Sequence, residues 1–238
     1  MKAMIFAAGK GTRLGDITSA RPKALLEIKG KTALRIAVEK LTSQGFDEII
    51  INVHHHADQM IKAIEDLKNE GFKLNVSDER EQLLETGGGL YKARWFFDDR
   101  PFLLYNVDII TDIDLNELFS YHEKKGGIAT LAVRKHNDKR VFLVDEEKIV
   151  RGWRNKATGE EIVTVNFGNL QEMAFSGIHI VEPAIFRYMK EGFYSMTSLY
   201  LEIALLEKIF VFNHNPEYFF DIGSPEELQK ASNHYKQV

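Results

Sequence analysis

From residue 2 to residue 125, short apolar runs alternate with stretches of helical period, and few architectures accept that alternation. KAMIFA (2–7), EIIINV (48–53), KLNV (73–76) and PFLLYNV (101–107) read as buried strands. TALRIAVEKLTSQ (32–44), ADQMIKAIEDLKNE (57–70) and LNELFSYHEKK (115–125) read as helices, and residues 87–95 as a shorter one. Leu34, Ala37, Val38 and Leu41 fall on one helical face, and Gly45, Gly71 and Gly126 follow as stop signals. This β-α-β-α order predicts an α/β fold whose parallel sheet carries helices on both faces. From about residue 127 the pattern changes to strands with short connections: GIATLAV, RVFLVD, KIVRGW, EIVTV (161–165) and AFSGIHIV. These predict a small antiparallel portion, so the central sheet is expected to be mixed but mostly parallel. Helical patterns return at 183–190 and 197–207, and strands at 209–212 and 217–220. A last helix opens at Ser224, with Pro225 at its first position and Glu227 placed for a capping box. No linker or internal repeat interrupts residues 1–238, which predicts a single domain.

Composition removes several classes of function. The chain has 238 residues, 44% hydrophobic and 28% charged, enough for a substantial core. A net charge of −4 gives no polyanion-binding signal, so nucleic acid is not an expected partner. The absence of cysteine excludes a disulfide scaffold, a thiolate nucleophile and a Cys-ligated zinc. No run approaches a membrane span and the N-terminus is a poor secretory signal, so a cytoplasmic location is the default expectation.

Four stretches carry chemistry. FAAGKGTRL (6–14) follows the first strand, at the carboxyl end of a parallel sheet, where open α/β folds bind ligands. Glycines there let backbone N–H groups approach a phosphate. Gly9, Gly11 and Gly15 match neither a Walker A loop nor a dinucleotide fingerprint. Arg13, Arg21 and Lys23 nevertheless place three cations beside the turn, which suits a chain of phosphates better than a plain βα turn does. LLYNVDIITD (103–112) ends an apolar strand in Asp108, and YFFDIGSPEEL (218–228) ends another in Asp221. Each reads either as a turn or cap residue or as a carboxylate that shares Mg²⁺ with substrate phosphates. LLETGGGLYKA (83–93) offers three glycines that leave a face open to a flat base, or a flexible loop. His54-His55-His56 reads as a loop entering a helix, with a transition-metal site as the lesser reading. The Phe-rich segments around 96–102 and 210–220 read as core, and DEEK (145–148) as a hairpin turn.

Together these stretches resemble the sugar nucleotidyltransferases, over nearly the whole chain. AAGKGTRL with RPKALL (21–26) is similar to the family's glycine-rich loop, Arg and Pro-Lys; YNVDII and FFDIGSPEEL resemble its two metal-binding segments. FSGIHI (175–180) resembles a strand whose glycine, Gly177, lies in the sugar pocket. LETGGG is close to the variant of N-acetylmuramate 1-phosphate uridylyltransferases, and guanylyltransferases for mannose or heptose 1-phosphate match nearly as well. The resemblance implies a Rossmann-like three-layer sandwich, with about 1–126 for the nucleotide and about 127–238 for the sugar phosphate. It implies Ala8, Gly9, Gly11 and Thr12 on the NTP phosphates, and Thr86, Gly87 and Gly88 at the base. Arg13 would hold the leaving pyrophosphate and Lys23 would neutralise charge near the α-phosphate. Asp108 and Asp221 would hold Mg²⁺. The substrates would be an NTP, UTP or GTP, and a sugar 1-phosphate, handled by a monomer or homodimer. The family's Phe-x-Glu-Lys-Pro is replaced by Trp153-Arg154-Asn155-Lys156-Ala157, with Lys156 aligned to the lysine on the sugar phosphate and Asn155 in place of a carboxylate. Two other outcomes stay open: cytidylyl transfer to a non-sugar phosphate, and a catalytically silent nucleotide-sugar sensor.

Overall fold

Strand β1 (Lys2–Phe6) buries Ala3 and Ile5 on one side and Met4 and Phe6 on the other, so it needs apolar cover on both faces. The computed structural model describes residues 1–9, 11, 14–15, 18, 20–164, 168–216 and 218–235. After β1 come β2 (Glu27–Ile28), β3 (Lys31–Thr32), α1 (Ala33–Ser43), β4 (Glu48–Val53), α2 (Ala57–Asn69) and β5 (Lys73–Asp78). Then follow α3 (Glu85–Lys92), β6 (Phe102–Asn106), β7 (Ile109–Thr111), α4 (Leu115–Lys125), β8 (Ala129–Arg134), β9 (Arg140–Val144), β10 (Val150–Asn155) and β11 (Glu160–Val163). The chain ends with β12 (Gln171–Val181), α5 (Met196–Ile203), β13 (Ile209–Asn213), β14 (Phe219–Asp221) and α6 (Pro225–His234). Among the described residues no helix is long and apolar enough to cross a membrane.

The helix ends follow local chemistry. Thr32 caps α1 by accepting the Arg35 N–H, and Asp114 caps α4 by accepting those of Asn116 and Glu117. Gly126, at φ +64, closes α4 with an N–H donated to the His122 carbonyl at 3.0 Å. Ser224 Oγ accepts the Glu227 N–H of α6 as expected, while the Glu227 carboxylate is taken up by Lys230 at 2.8 Å.

The sheet runs β5-β4-β1-β6-β12, and β8 and then β13 continue beyond β12. β5, β4, β1 and β6 are mutually parallel. β12 is antiparallel to both β6 and β8, so β8 runs in the same direction as β6, and β13 is parallel to β8. The eleven-residue β12 serves two neighbours: its second half lies between β6 and β8, and Gln171–Met173 pair with β9. β9, β10 and β11 form the antiparallel portion. One face of the sheet packs on α1, α2 and α4 through Leu34, Leu41, Ile64 and Leu118. The other packs on α3 and α5 through Leu90, Leu199, Tyr200 and Ile203. Each fully buried aliphatic side chain contributes about 1.5–3 kcal/mol. The result is the expected three-layer α/β sandwich with a mixed, mostly parallel sheet.

Differences from the sequence reading are local. The helix expected at 87–95 begins at Glu85 and tightens to a 3-10 turn over Ala93–Phe96. The helical pattern at 183–190 is a 3-10 segment, Pro183–Tyr188, and the next helix stops at Ile203. Residues 145–148 make the hairpin turn between β9 and β10. Phe97, Phe102 and Phe186 stack in the core, as expected of the first Phe-rich segment. His54–His56 lead into α2, with His56 as its N-cap at φ +52. Val165 and Glu217, at ends of expected strands, and Thr12 and Arg13 lie outside the described residues.

Candidate active site

The chain leaves β1 at the carboxyl edge of the sheet, beside the ends of β4 and β6. The first N–H past the strand, Ala7, donates to Asn52 Oδ1 on β4 at 2.7 Å. That bond sets the amide's orientation, and Nδ2 donates to Glu79 Oε1 at 2.8 Å. Glu79 is fully buried, and burial pushes its carboxyl above the usual range against the opposing Asn52 hydrogen bond. Gly89 of α3 makes room for this pair: a Cβ there would lie 2.7 Å from Glu79 Oε1 and 2.9 Å from Asn52 Nδ2.

Ala8, Gly9 and Gly11 continue along one wall of a cleft of about 430 Å³. Gly11 adopts φ +64, a backbone state costly for any residue with a Cβ. Lys23, Asn52, Leu83, Glu85, Thr86, Asn106 and Asp108 line the same cleft. Thr86 is held in place because its Oγ1 accepts the Met196 N–H at 2.9 Å. Gly87 and Gly88 have a packing reason to be glycine. A Cβ on Gly87 would meet the Tyr194 ring at 2.5 Å, and one on Gly88 the Gly192 carbonyl at 1.9 Å. Their open face, expected to receive a base, is therefore filled by residues 192–194, and of the three predicted residues here only Thr86 lines the cleft.

Lys23 opens a 3-10 turn after Pro22 and is nearly buried. Its ammonium donates to Asp108, just past β6, and lies 3.5 Å from Asp221 Oδ1, at the end of β14. β14 pairs with β7, setting Asp221 opposite Ile109, and this register brings the two distant carboxylates together. Asp221 lines a second cleft of about 1180 Å³, with Arg134, Trp153, Asn155, Phe175, Thr197 and His214 among its walls. Lys23, on the wall of the smaller cleft, thus pairs with Asp221 on the wall of the larger one. Two carboxylates sharing one ammonium are a hard-oxygen donor pair that one or two phosphates would complete around Mg²⁺, so the residues fit that ion. Among the described residues no group of three or more His, Asp or Glu could hold a metal by itself.

Gly177 forms a β-bulge in β12, at φ +71, where a Cβ would lie 2.8 Å from Asn106 Nδ2. It therefore lets β12 close onto Asn106 at the edge of the smaller cleft. Asn155 faces the larger cleft, and its Oδ1 accepts the Ala157 N–H. Lys156 departs from expectation. It sits in the β10–β11 turn with its ammonium 2.6 Å from Glu172 and 3.1 Å from Asn137 Oδ1, lining with Gln171 and Met173 a hollow that adjoins the larger cleft at Lys135 and His136. Glu172, from β12, was not visible as its partner in the sequence.

Asn52, Asn106 and Arg134 were not singled out from the sequence. A signal existed for the first two: each is a polar residue at the carboxyl end of an apolar strand.

A likeness to known proteins agrees with this geometry. The chain is 30% identical over 207 residues to the UTP–glucose-1-phosphate uridylyltransferase of Synechocystis sp., covering 81% of this chain and 52% of that protein. It thus spans about half the length of that relative. It is 31% identical over 194 residues to the N-acetylmuramate alpha-1-phosphate uridylyltransferase of Neisseria meningitidis, covering 81% and 80% of the two chains. HddC from Yersinia pseudotuberculosis shares the fold, with a TM-score of 0.79 over 99% of both chains at 22% identity. The profile of the "Nucleotidyl transferase" family matches residues 2–238, so that the glycine turn, the Lys23–Asp108–Asp221 group and both clefts lie within it, and the chain belongs to that family.

Proposed function

We propose that this protein transfers a nucleoside monophosphate from an NTP to the phosphate of a sugar 1-phosphate, releasing pyrophosphate. The observation that carries the reading is a nearly buried lysine on the wall of one cleft, flanked by two carboxylates of which one lines a second cleft. The smaller cleft suits the NTP, whose phosphates would lie along the backbone from Ala8 to Gly11. The larger suits the sugar phosphate, with Trp153 and Phe175 as apolar walls and Asn155 and Thr197 as polar ones. An acceptor phosphate oxygen forms a bond to the α-phosphorus as the bond to the pyrophosphate oxygen breaks, so no covalent enzyme intermediate is needed. Lys23 would hold charge at the α-phosphate, and Asn52 and Asn106, which line the same cleft, would donate or accept along the nucleotide. Mg²⁺, held by Asp108, Asp221 and substrate phosphates, would supply further charge neutralisation on the phosphate oxygens.

The names of the Synechocystis and Neisseria relatives favour UTP as donor, and the sequence resemblance to guanylyltransferases keeps GTP beside it. The test is a screen of four NTPs against glucose, mannose, heptose and N-acetylmuramate 1-phosphates and phosphocholine, read by pyrophosphate release. Release that needs a sugar 1-phosphate and stops with EDTA is expected. Release with phosphocholine alone would make the protein a transferase to a non-sugar acceptor. Binding of UDP-sugar without release from any pair would make it a sensor.

A further inference from the structure

We propose that Arg134 is the residue that holds the acceptor's phosphate; this rests on the transfer reading above. Arg134 is the last residue of β8, which runs in the same direction as β6 two positions away in the sheet. Its side chain therefore emerges at the same carboxyl edge as Asp108. The guanidinium lies 3.9 Å over the ring of Phe219, two residues before Asp221, and lines the larger cleft with Asp221. Stacking leaves the in-plane N–H groups at the edge of the guanidinium, the geometry that suits a phosphate.

Its protein partner is weak. Nη1 and Nη2 approach Asp138 Oδ2 at 3.4 and 3.3 Å, while the other oxygen of Asp138 binds His136 Nδ1 at 2.6 Å. A guanidinium has five N–H donors, so most remain for a ligand. Its side chain is only 15% exposed, which strengthens a charge-assisted contact relative to one in open water. Lys135, Lys139 and Arg140 line the same cleft and add positive charge on that wall, against Asp138, Asp221 and Glu227. Lys156, the cation expected here from the sequence, has its ammonium taken up by Glu172 in an adjoining hollow.

The experiment measures KM for acceptor and NTP in Arg134→Ala, Arg134→Lys and Lys156→Ala, using the acceptor that gives most turnover in the screen above. Arg134→Ala is expected to raise acceptor KM roughly ten- to a hundredfold, the size of one charge-assisted contact, with NTP KM within about twofold. Arg134→Lys keeps the charge and loses the fork, so it should recover part of the loss. Lys156→Ala should raise acceptor KM less than Arg134→Ala does. A structural role for Arg134 would instead raise both KM values or lower kcat alone. That pattern, an unchanged acceptor KM in Arg134→Ala, or a larger rise in Lys156→Ala overturns the proposal. If Arg134→Ala does not fold, Arg134→Lys decides: a rise of a few-fold in acceptor KM only supports it, and wild-type behaviour overturns it. A wild-type protein that releases no pyrophosphate with any acceptor defeats the transfer reading and this inference with it, whereas an active enzyme indifferent to Arg134 defeats the inference alone.

Discussion

Lys23 pairs with two carboxylates from distant parts of the chain, Asp108 just past β6 and Asp221 at the end of β14. An ammonium so nearly buried needs at least one of them, which is a structural role for Asp108 and Asp221 independent of catalysis. The transfer reading gives them a second role at the transition state. Asp108→Asn and Asp221→Asn are each expected to lower kcat by about 10²-fold or more while the protein stays folded, because the other carboxylate still pairs with Lys23. Steady-state turnover at saturating Mg²⁺, with circular dichroism as the folding control, checks this. Near-wild-type turnover in either variant would leave that aspartate as the counter-ion of Lys23 alone. At this scale the sequence was legible in position: the apolar runs set Asp108 and Asp221 at or just past strand ends, and Lys23 lines one cleft with the glycine turn it was read beside. It was not legible for Lys156, because its partner Glu172 belongs to a strand that only the folded sheet sets beside it.

Helix α3 shows an element whose composition opposes its conformation. Three consecutive glycines cost about 1 kcal/mol each relative to alanine in a helix interior. The cost is offset by close packing. The N–H of Gly87 donates to the Tyr194 carbonyl at 2.8 Å, Gly88 abuts the Gly192 carbonyl, and Gly89 accommodates Glu79. Gly88→Ala puts a methyl group 1.9 Å from a backbone oxygen, a clash that no side-chain rotation relieves. Overpacking of this kind costs about 1–3 kcal/mol, so a lower midpoint of urea unfolding is expected. The same shift would displace Thr86, one residue before Gly87, and raise NTP KM. A Gly88→Ala protein with wild-type stability would show that α3 and residues 192–194 are not pressed together in solution. The β10–β11 hairpin is the contrasting element. Strand periodicity outlined it correctly, yet the direction of the Lys156 side chain depended on β12.

At the scale of the whole molecule, buried histidines are expected to make stability sensitive to acid. Burial lowers the pKa of His122 to about 4, of His179 to about 3 and of His214 to about 4. His122 Nδ1 is held by Thr130 at 2.9 Å, with the Glu182 carboxylate 3.3 Å from its Nε2, His179 by the Tyr200 hydroxyl, and His214 Nε2 by Ser176 at 2.8 Å. Above pH 6.5 these rings are neutral in the folded and unfolded chains alike. Below it the unfolded chain takes up protons that the folded one does not, so stability falls with pH until the folded pKa values near 4 to 3 are reached. Each ring contributes up to roughly 1.4 kcal/mol per pH unit within that window. Urea unfolding at pH 7 and pH 5 is expected to show a marked loss at the lower pH, reduced in His122→Gln. Equal stability at the two values would mean that these rings are hydrated in solution.

What the sequence by itself determined were features governed by near neighbours. Period 2 and period 3.6 placed most of the strands and helices, glycines marked helix ends, and apolar runs set Asp108 and Asp221 at or just past strand ends. Such signals are local because burial of one face repeats at the spacing of the element itself. Only the tertiary structure decided which strands lie side by side. The insertion of β12 antiparallel between β6 and β8, bulged at Gly177, brings Arg134 to the edge that holds Asp108. The pairing of β14 with β7 draws Asp221 to Lys23, residues 192–194 fill the face of Gly87 and Gly88, and β12 presents Glu172 to Lys156. These contacts join residues far apart in the chain, and strand order is selected by packing of the whole sheet, which no single stretch of sequence encodes.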